Sequence, residues 1–108
     1  MNIFKFGGTS VASSININKV IEIVKNNSID TPIIVIVSAL GGTTDILLNS
    51  AKKAEKKDTS YLEDIKSLEK RHFDTTTELI TNNTQNQVLT QINNYFNELR
   101  SILKGIYL

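Results

Sequence analysis

The run Pro32-Ile33-Ile34-Val35-Ile36-Val37 constrains this chain more than any other feature. Five β-branched residues without polar alternation are expected of a strand covered on both faces in a parallel sheet. Such a strand needs a parallel partner, and Asn2 to Phe6 supplies one: a short β-rich segment ended by Gly7-Gly8, the pattern of a strand running into a tight turn. Between the two, Ile17, Val20, Ile21 and Val24 fall at i, i+3, i+4 and i+7. That spacing predicts a helix, with Ser13 or Ser14 as N-cap and Asn26-Asn27 as its stop. Strand, helix and strand make a βαβ unit. The right-handed crossover rule then puts both strands in one sheet with their C-terminal ends on the same edge.

The local plan repeats after Val37. Ser38-Ala39-Leu40-Gly41-Gly42-Thr43-Thr44-Asp45 forms a second glycine turn and opens an apolar helix through Ile46, Leu47, Ser50, Ala51 and Ala54, fading into Lys52-Lys53 and Lys56-Lys57. The remainder reads as a helical hairpin. Ser60-Tyr61-Leu62-Glu63 and Thr84-Gln85-Asn86-Gln87 fit capping boxes. Leu62, Ile65, Leu68, His72 and Leu79 make one stripe, and Val88, Leu89, Ile92, Phe96, Leu99, Ile102 and Leu103 the other, with Thr81 to Asn83 as the turn and Gly105 as C-cap. Ile106-Tyr107-Leu108 is apolar and unpatterned, as expected of a chain that continues. The fold class is therefore α/β: a βαβα part over residues 1–57 and a helical hairpin over 58–108.

At 108 residues the chain is one domain at most, so any site that needs two lobes must borrow the second. The formal net charge of +1 gives no electrostatic case for nucleic acid or an anionic membrane as partner. Cysteine is absent, which excludes disulfides and thiolate metal sites, and no resident metal is expected. The longest apolar run is far short of the roughly 20 residues that span a bilayer. A soluble cytoplasmic protein is the expectation. Charge is nonetheless uneven, because Lys52 to Arg71 holds seven basic and five acidic residues whereas residues 1–51 hold three of each.

The chemistry sits in Lys5-Phe6-Gly7-Gly8-Thr9-Ser10-Val11. A phosphate needs several donors converging with no Cβ in the way, and consecutive glycines after a strand let backbone N–H groups turn toward it. The following helix offers the positive end of its dipole, Lys5 a full charge, and Thr9 and Ser10 their hydroxyls. The pattern is neither a Walker A loop nor a dinucleotide fingerprint. A glycine turn beside an exposed lysine fits the spacing equally well. The second junction favours the anion site, since Ser38 and Gly41-Gly42 emerge on the same sheet edge, where open α/β sheets bind ligands. Thr43 or Thr44 serves as N-cap of its helix in the plainer reading.

These residues resemble a family. Lys5-Phe6-Gly7-Gly8-Thr9-Ser10-Val11 looks like the N-terminal signature of aspartokinases within the amino acid kinase superfamily, and Val37-Ser38-Ala39-Leu40-Gly41-Gly42-Thr43-Thr44-Asp45 resembles their second motif. The later helices are similar to those of bifunctional aspartokinase/homoserine dehydrogenases. The resemblance implies the N-terminal βαβ part of an amino acid kinase-like sandwich and ATP-dependent phosphorylation of the L-aspartate β-carboxylate. By resemblance Lys5 is the catalytic cation; Lys5, Gly7, Gly8, Thr9, Ser10, Ser38 and Ala39 bind ATP phosphates; Ser38 and Thr44 hold aspartate. Magnesium arrives with ATP. The family pattern continues with a nucleotide-binding half and regulatory domains that these 108 residues do not contain, so the remainder of the kinase domain is an expected partner and the complete enzyme an expected homo-oligomer.

Two rivals stand beside this reading: another superfamily member with a different acceptor, and a helical interaction module with a vestigial anion pocket. Elsewhere the plainer readings lead. His72 is the sole histidine and sits in a charge-rich helix, which suggests packing. Asp45 suits a helix N-terminus in any case. The Lys52 to Lys57 cluster, interrupted by Glu55, reads as a solvated face.

Overall fold

The computed structural model describes all residues, Met1–Leu108. In chain order the elements are β1 (Asn2–Phe6), α1 (Ser14–Asn27), β2 (Ile33–Val37), α2 (Thr43–Glu55), α3 (Tyr61–Leu79) and α4 (Gln85–Tyr107). They form two compact units, Met1–Thr43 and Thr44–Leu108.

In the first unit β1 and β2 pair in parallel, with Phe4 opposite Val35, Lys5 opposite Ile36 and Phe6 opposite Val37. Successive side chains alternate faces, so Phe4, Phe6, Val35 and Val37 share one face, and Ile3, Lys5, Ile34 and Ile36 share the other. An apolar groove of about 400 Å³ lined by Ile17, Val20, Ile21 and Val24 together with Val35 and Val37 puts α1 against the first of these faces. No helix of this unit covers the second face, where Ile36 is 47% exposed and Ile3 59%, and α1 covers the first only in part, since Val37 there is 58% exposed. Coverage of β2 on both faces, expected from its β-branched run, is thus not met within these residues. A sheet of two strands with one crossover helix has a layer for one face only. At the start of α1, Ser13 is extended and its hydroxyl accepts from the Asn16 amide at 3.2 Å, which satisfies one donor of the first turn.

The second unit has a closed core of Ala54, Tyr61, Ile65, Leu68, Phe96 and Leu103, with Ile46, Leu47 and Ala51 packed against it. Because α2 contributes Ala54 and its flanking apolar residues to this core, the break between units falls at Thr43 and Thr44 and not after residue 57. The buried stripe of α3 is Tyr61, Ile65, Leu68 and Thr76, whereas Leu62 is half exposed. The His72 ring meets Phe96 edge-on at 5.4 Å, and its Nδ1 lies 2.8 Å from the Leu68 carbonyl oxygen. Arg100 of α4 donates to Glu69 of α3 at 2.6 Å.

Three expected helix ends differ. Ser60 and Thr84 have helical backbone angles and make no side-chain cap bond. Their own amides instead donate to Asp58 Oδ1 at 2.9 Å and Asn82 Oδ1 at 3.0 Å, so an Asx residue two positions earlier turns the chain in each case. Gly105 lies inside α4, which runs on to Tyr107 because the Tyr107 ring packs against Tyr61 at 5.9 Å. Finally, α2 ends in a Schellman motif with a lysine in the left-handed position. The Asp58 amide donates to the Lys53 carbonyl and the Lys57 amide to that of Ala54, with Lys57 at φ 63°.

Candidate functional site

The site belongs to the first unit, at the C-terminal edge of its sheet. β1 ends at Phe6, whose carbonyl accepts from the Ser38 amide at 3.0 Å, so the two strands leave the sheet side by side. Beyond that bond the two glycine turns touch. A Cβ on Gly41 would sit 2.8 Å from the Gly8 carbonyl oxygen and 3.1 Å from Ala12 Cβ; one on Gly8 would sit 3.3 Å from Gly41 Cα and 3.8 Å from the Ala39 oxygen. The backbones therefore approach to a distance that a side chain at Gly41 would force apart and one at Gly8 would crowd. Gly42 has φ +84°, a conformation that other residues adopt only with strain. Gly41 and Gly42 are thus required by the protein's own backbone, and Gly8 is favoured by it. Gly7 is not: a Cβ there would meet no protein atom within 4 Å.

Gly7 to Ser13 form a turn segment and not an immediate helix start. The Ser10 amide donates to Gly7 and the Ala12 amide to Thr9. Those two donors face inward, and the amides of Gly8 and Thr9 are left as the loop's candidates for an incoming anion. The expected cap is met, since α1 begins at Ser14 and Ser13 already occupies one donor of its first turn. By contrast α2 begins immediately after Gly42.

Of the sequence-predicted residues, Gly7, Gly8, Thr9, Ser10, Ser38 and Ala39 are gathered on this one rim. Lys5 is exposed, one residue before the end of β1, on the sheet face opposite α1 and in register with Ile36. Thr44 is exposed in the first turn of α2 and opens the second unit. Thr43 is not a side-chain cap: it is the first residue of α2, 7% exposed, and its Oγ1 has no hydrogen-bond partner.

Asn16 escaped the sequence reading. Its Nδ2 donates to the Thr9 carbonyl at 3.0 Å while its amide donates to Ser13 Oγ, so one residue ties the first turn of α1 to the glycine loop. The Ser13-x-x-Asn16 spacing, a relative of the capping box, was the available signal.

Two abutting glycine turns at the carboxyl ends of parallel strands, with a lysine on the strand beside them, define an α/β protein with a crevice at the strand edge, where open α/β sheets bind their ligands. The amino acid kinase family profile matches residues 1–103, and the chain belongs to that family. It is 30% identical over 107 residues to bifunctional aspartokinase/homoserine dehydrogenase 2, chloroplastic, of Arabidopsis thaliana, a match that covers 99% of this chain and 12% of that protein. The carrot enzyme of the same type is 32% identical over 99% of this chain. Aspartokinase 1, chloroplastic, of Arabidopsis is 35% identical over 96% of this chain and 18% of its own length. The chain thus spans about an eighth of the length of the bifunctional relatives it matches.

Proposed function

We propose that this chain supplies the phosphate- and substrate-binding strand edge of an aspartate kinase, which transfers the γ-phosphoryl group of ATP to the β-carboxylate of L-aspartate. The observation that carries the reading is the Gly8 to Gly41 backbone contact, which sets both glycine turns on one rim. In the reaction a carboxylate oxygen attacks the γ-phosphorus, the bond to the β,γ-bridging oxygen breaks, and ADP leaves with that electron pair. The nucleophile is already charged, so no base is needed. The barrier lies in bringing two anions together and in stabilising the transferring group.

That demand matches the residue types. Lys5 offsets the charge of the transferring phosphoryl group, while Gly7, Gly8, Thr9 and Ser10 present amides and hydroxyls to its oxygens. Ser38 and Ala39 frame the other side of the rim, and Ser38 and Thr44 hold aspartate. Magnesium enters as part of the substrate, Mg-ATP. The rest of the kinase domain completes the nucleotide site, and the complete enzyme assembles as a homo-oligomer. No helix here is long and apolar enough to cross a membrane. A cytoplasmic location is part of this proposal; the relatives named above are chloroplastic.

The test is a chimera in which these residues replace the matching segment of Arabidopsis aspartokinase 1. The expected result is ADP release that depends on aspartate and is not supported by glutamate, with none from the 108-residue chain alone. A folded chimera without aspartate-dependent turnover would overturn the reading.

A further inference from the structure

The helical unit carries a second concentration of charge that the kinase reading does not use. A groove of about 670 Å³ runs along α2 and α3, lined among others by Lys52, Lys53, Lys56 and Arg71. Four of the chain's twelve basic residues face it, against two of its eleven acidic ones, Asp58 and Asp64. The groove is therefore more positive than the whole chain, whose net charge is +1.

Its two acids are already engaged. Asp64 accepts from Lys53 Nζ at 2.6 Å, and Asp58 accepts from the Ser60 amide, a bond that holds its carboxyl below the usual range. Lys52 and Lys56 stand at i and i+4 on α2, a spacing at which like charges repel. The C-terminal dipole of α2 offsets part of that repulsion, and Arg71, from the middle of α3, lines the same groove from the other side. Asn49 and Ser67 add an amide and a hydroxyl donor, and Ile46 and Leu68 give an apolar floor. Cations, neutral donors and a short apolar surface in one groove suit a small, multiply charged oxyanion.

We propose that this α2–α3 groove is a binding site for a small polyanion of the phosphate-ester or polycarboxylate class, bridged between Lys52 and Lys56 on α2 and Arg71 on α3. The site lies wholly in the unit Thr44–Leu108 and is independent of the glycine rim and of the kinase reading. The test is titration of the ¹⁵N-labelled chain with pyrophosphate and, separately, citrate at constant ionic strength, with a Lys52→Gln/Lys56→Gln double variant at these two exposed positions alongside. The expected result is saturable shifts of Asn49, Lys52, Lys56, Ser67 and Arg71 and a melting temperature raised by the ligand. Both responses should weaken at least tenfold in the double variant, whose own spectrum keeps the native dispersion. Saturation by pyrophosphate alone would assign the phosphate class, and by citrate alone the carboxylate class. Shifts that do not saturate, or that are equal in the double variant, would overturn the site; shifts confined to Gly8 and Gly41 would do the same while supporting the glycine rim.

Discussion

The two units differ most in how much of their apolar surface they bury themselves. Thr44–Leu108 closes a core around Ile65, 1% exposed, and ties its helices with the Arg100–Glu69 and Lys53–Asp64 pairs. Met1–Thr43 buries only Val11 and Val20 among its apolar side chains, and leaves the whole of one sheet face and part of the other in water. Yet the candidate phosphate loops sit in this first, barely enclosed unit. The unit that holds the candidate kinase site is the one that leaves its apolar strands exposed, whereas the helical unit folds around its own core. Burying the apolar strands is worth roughly 25 cal/mol per Å², a driving force that remains unspent in the first unit.

The largest effect expected from breaking this contrast is at Lys5. In the chimera, Lys5→Ala should lower kcat by about 10²–10³, the magnitude of a lost charge-stabilising donor, with an unchanged circular dichroism spectrum; near-normal turnover would remove Lys5 from the mechanism. On the other side, Ile65→Ala should cost the helical unit about 3 kcal/mol, read as earlier denaturant unfolding of α3 and α4. Hydrogen exchange should show β1 and β2 amides opening more readily than those of α3 and α4 in the parent chain; equal protection in both would erase the contrast drawn here.

Smaller effects sharpen it. Gly41→Ala should cost about 1–3 kcal/mol and move the Gly8 resonance, because the added methyl lands on the Gly8 carbonyl. Ser13→Ala should lose about 1 kcal/mol by uncapping α1, whereas Ser60→Ala and Thr84→Ala should melt close to the parent, since neither hydroxyl caps its helix. The smallest effect is one of pH. The Asp64 carboxylate, through its hydrogen bond, holds Lys53 above the ordinary lysine value of 10.5. Its contribution is fully present below that value and is lost as pH rises through the raised one, so α2 should loosen from α3 only in strong alkali, and a Lys53→Met variant should lack that transition.

Legibility in the sequence followed the range of the interactions. Both strands, the span of α1 and the hairpin were readable because hydrophobic period and glycine position act within a few residues. The rim was readable in outline, since crossover handedness fixes which strand ends share an edge. The contact between Gly8 and Gly41 was not, because it joins atoms far apart in sequence, and the Asn16 bond to Thr9 was missed although it is local, because it reaches back past the cap into the loop. Ser60 and Thr84 show how a local rule is displaced: an Asx side chain two residues earlier reached the amide first.

By itself, then, the order of residues determined the elements, the parallel pairing of β1 with β2 and the placing of two glycine turns at one sheet edge, because backbone sterics and side-chain period allow little else. Only the tertiary structure decided that the turns press backbone to backbone, that α2 joins the hairpin's core, and that the bare face of β2 lacks a covering layer. Those outcomes are set by which surfaces meet, and the energy of a meeting surface is a property of both partners, not of either segment alone.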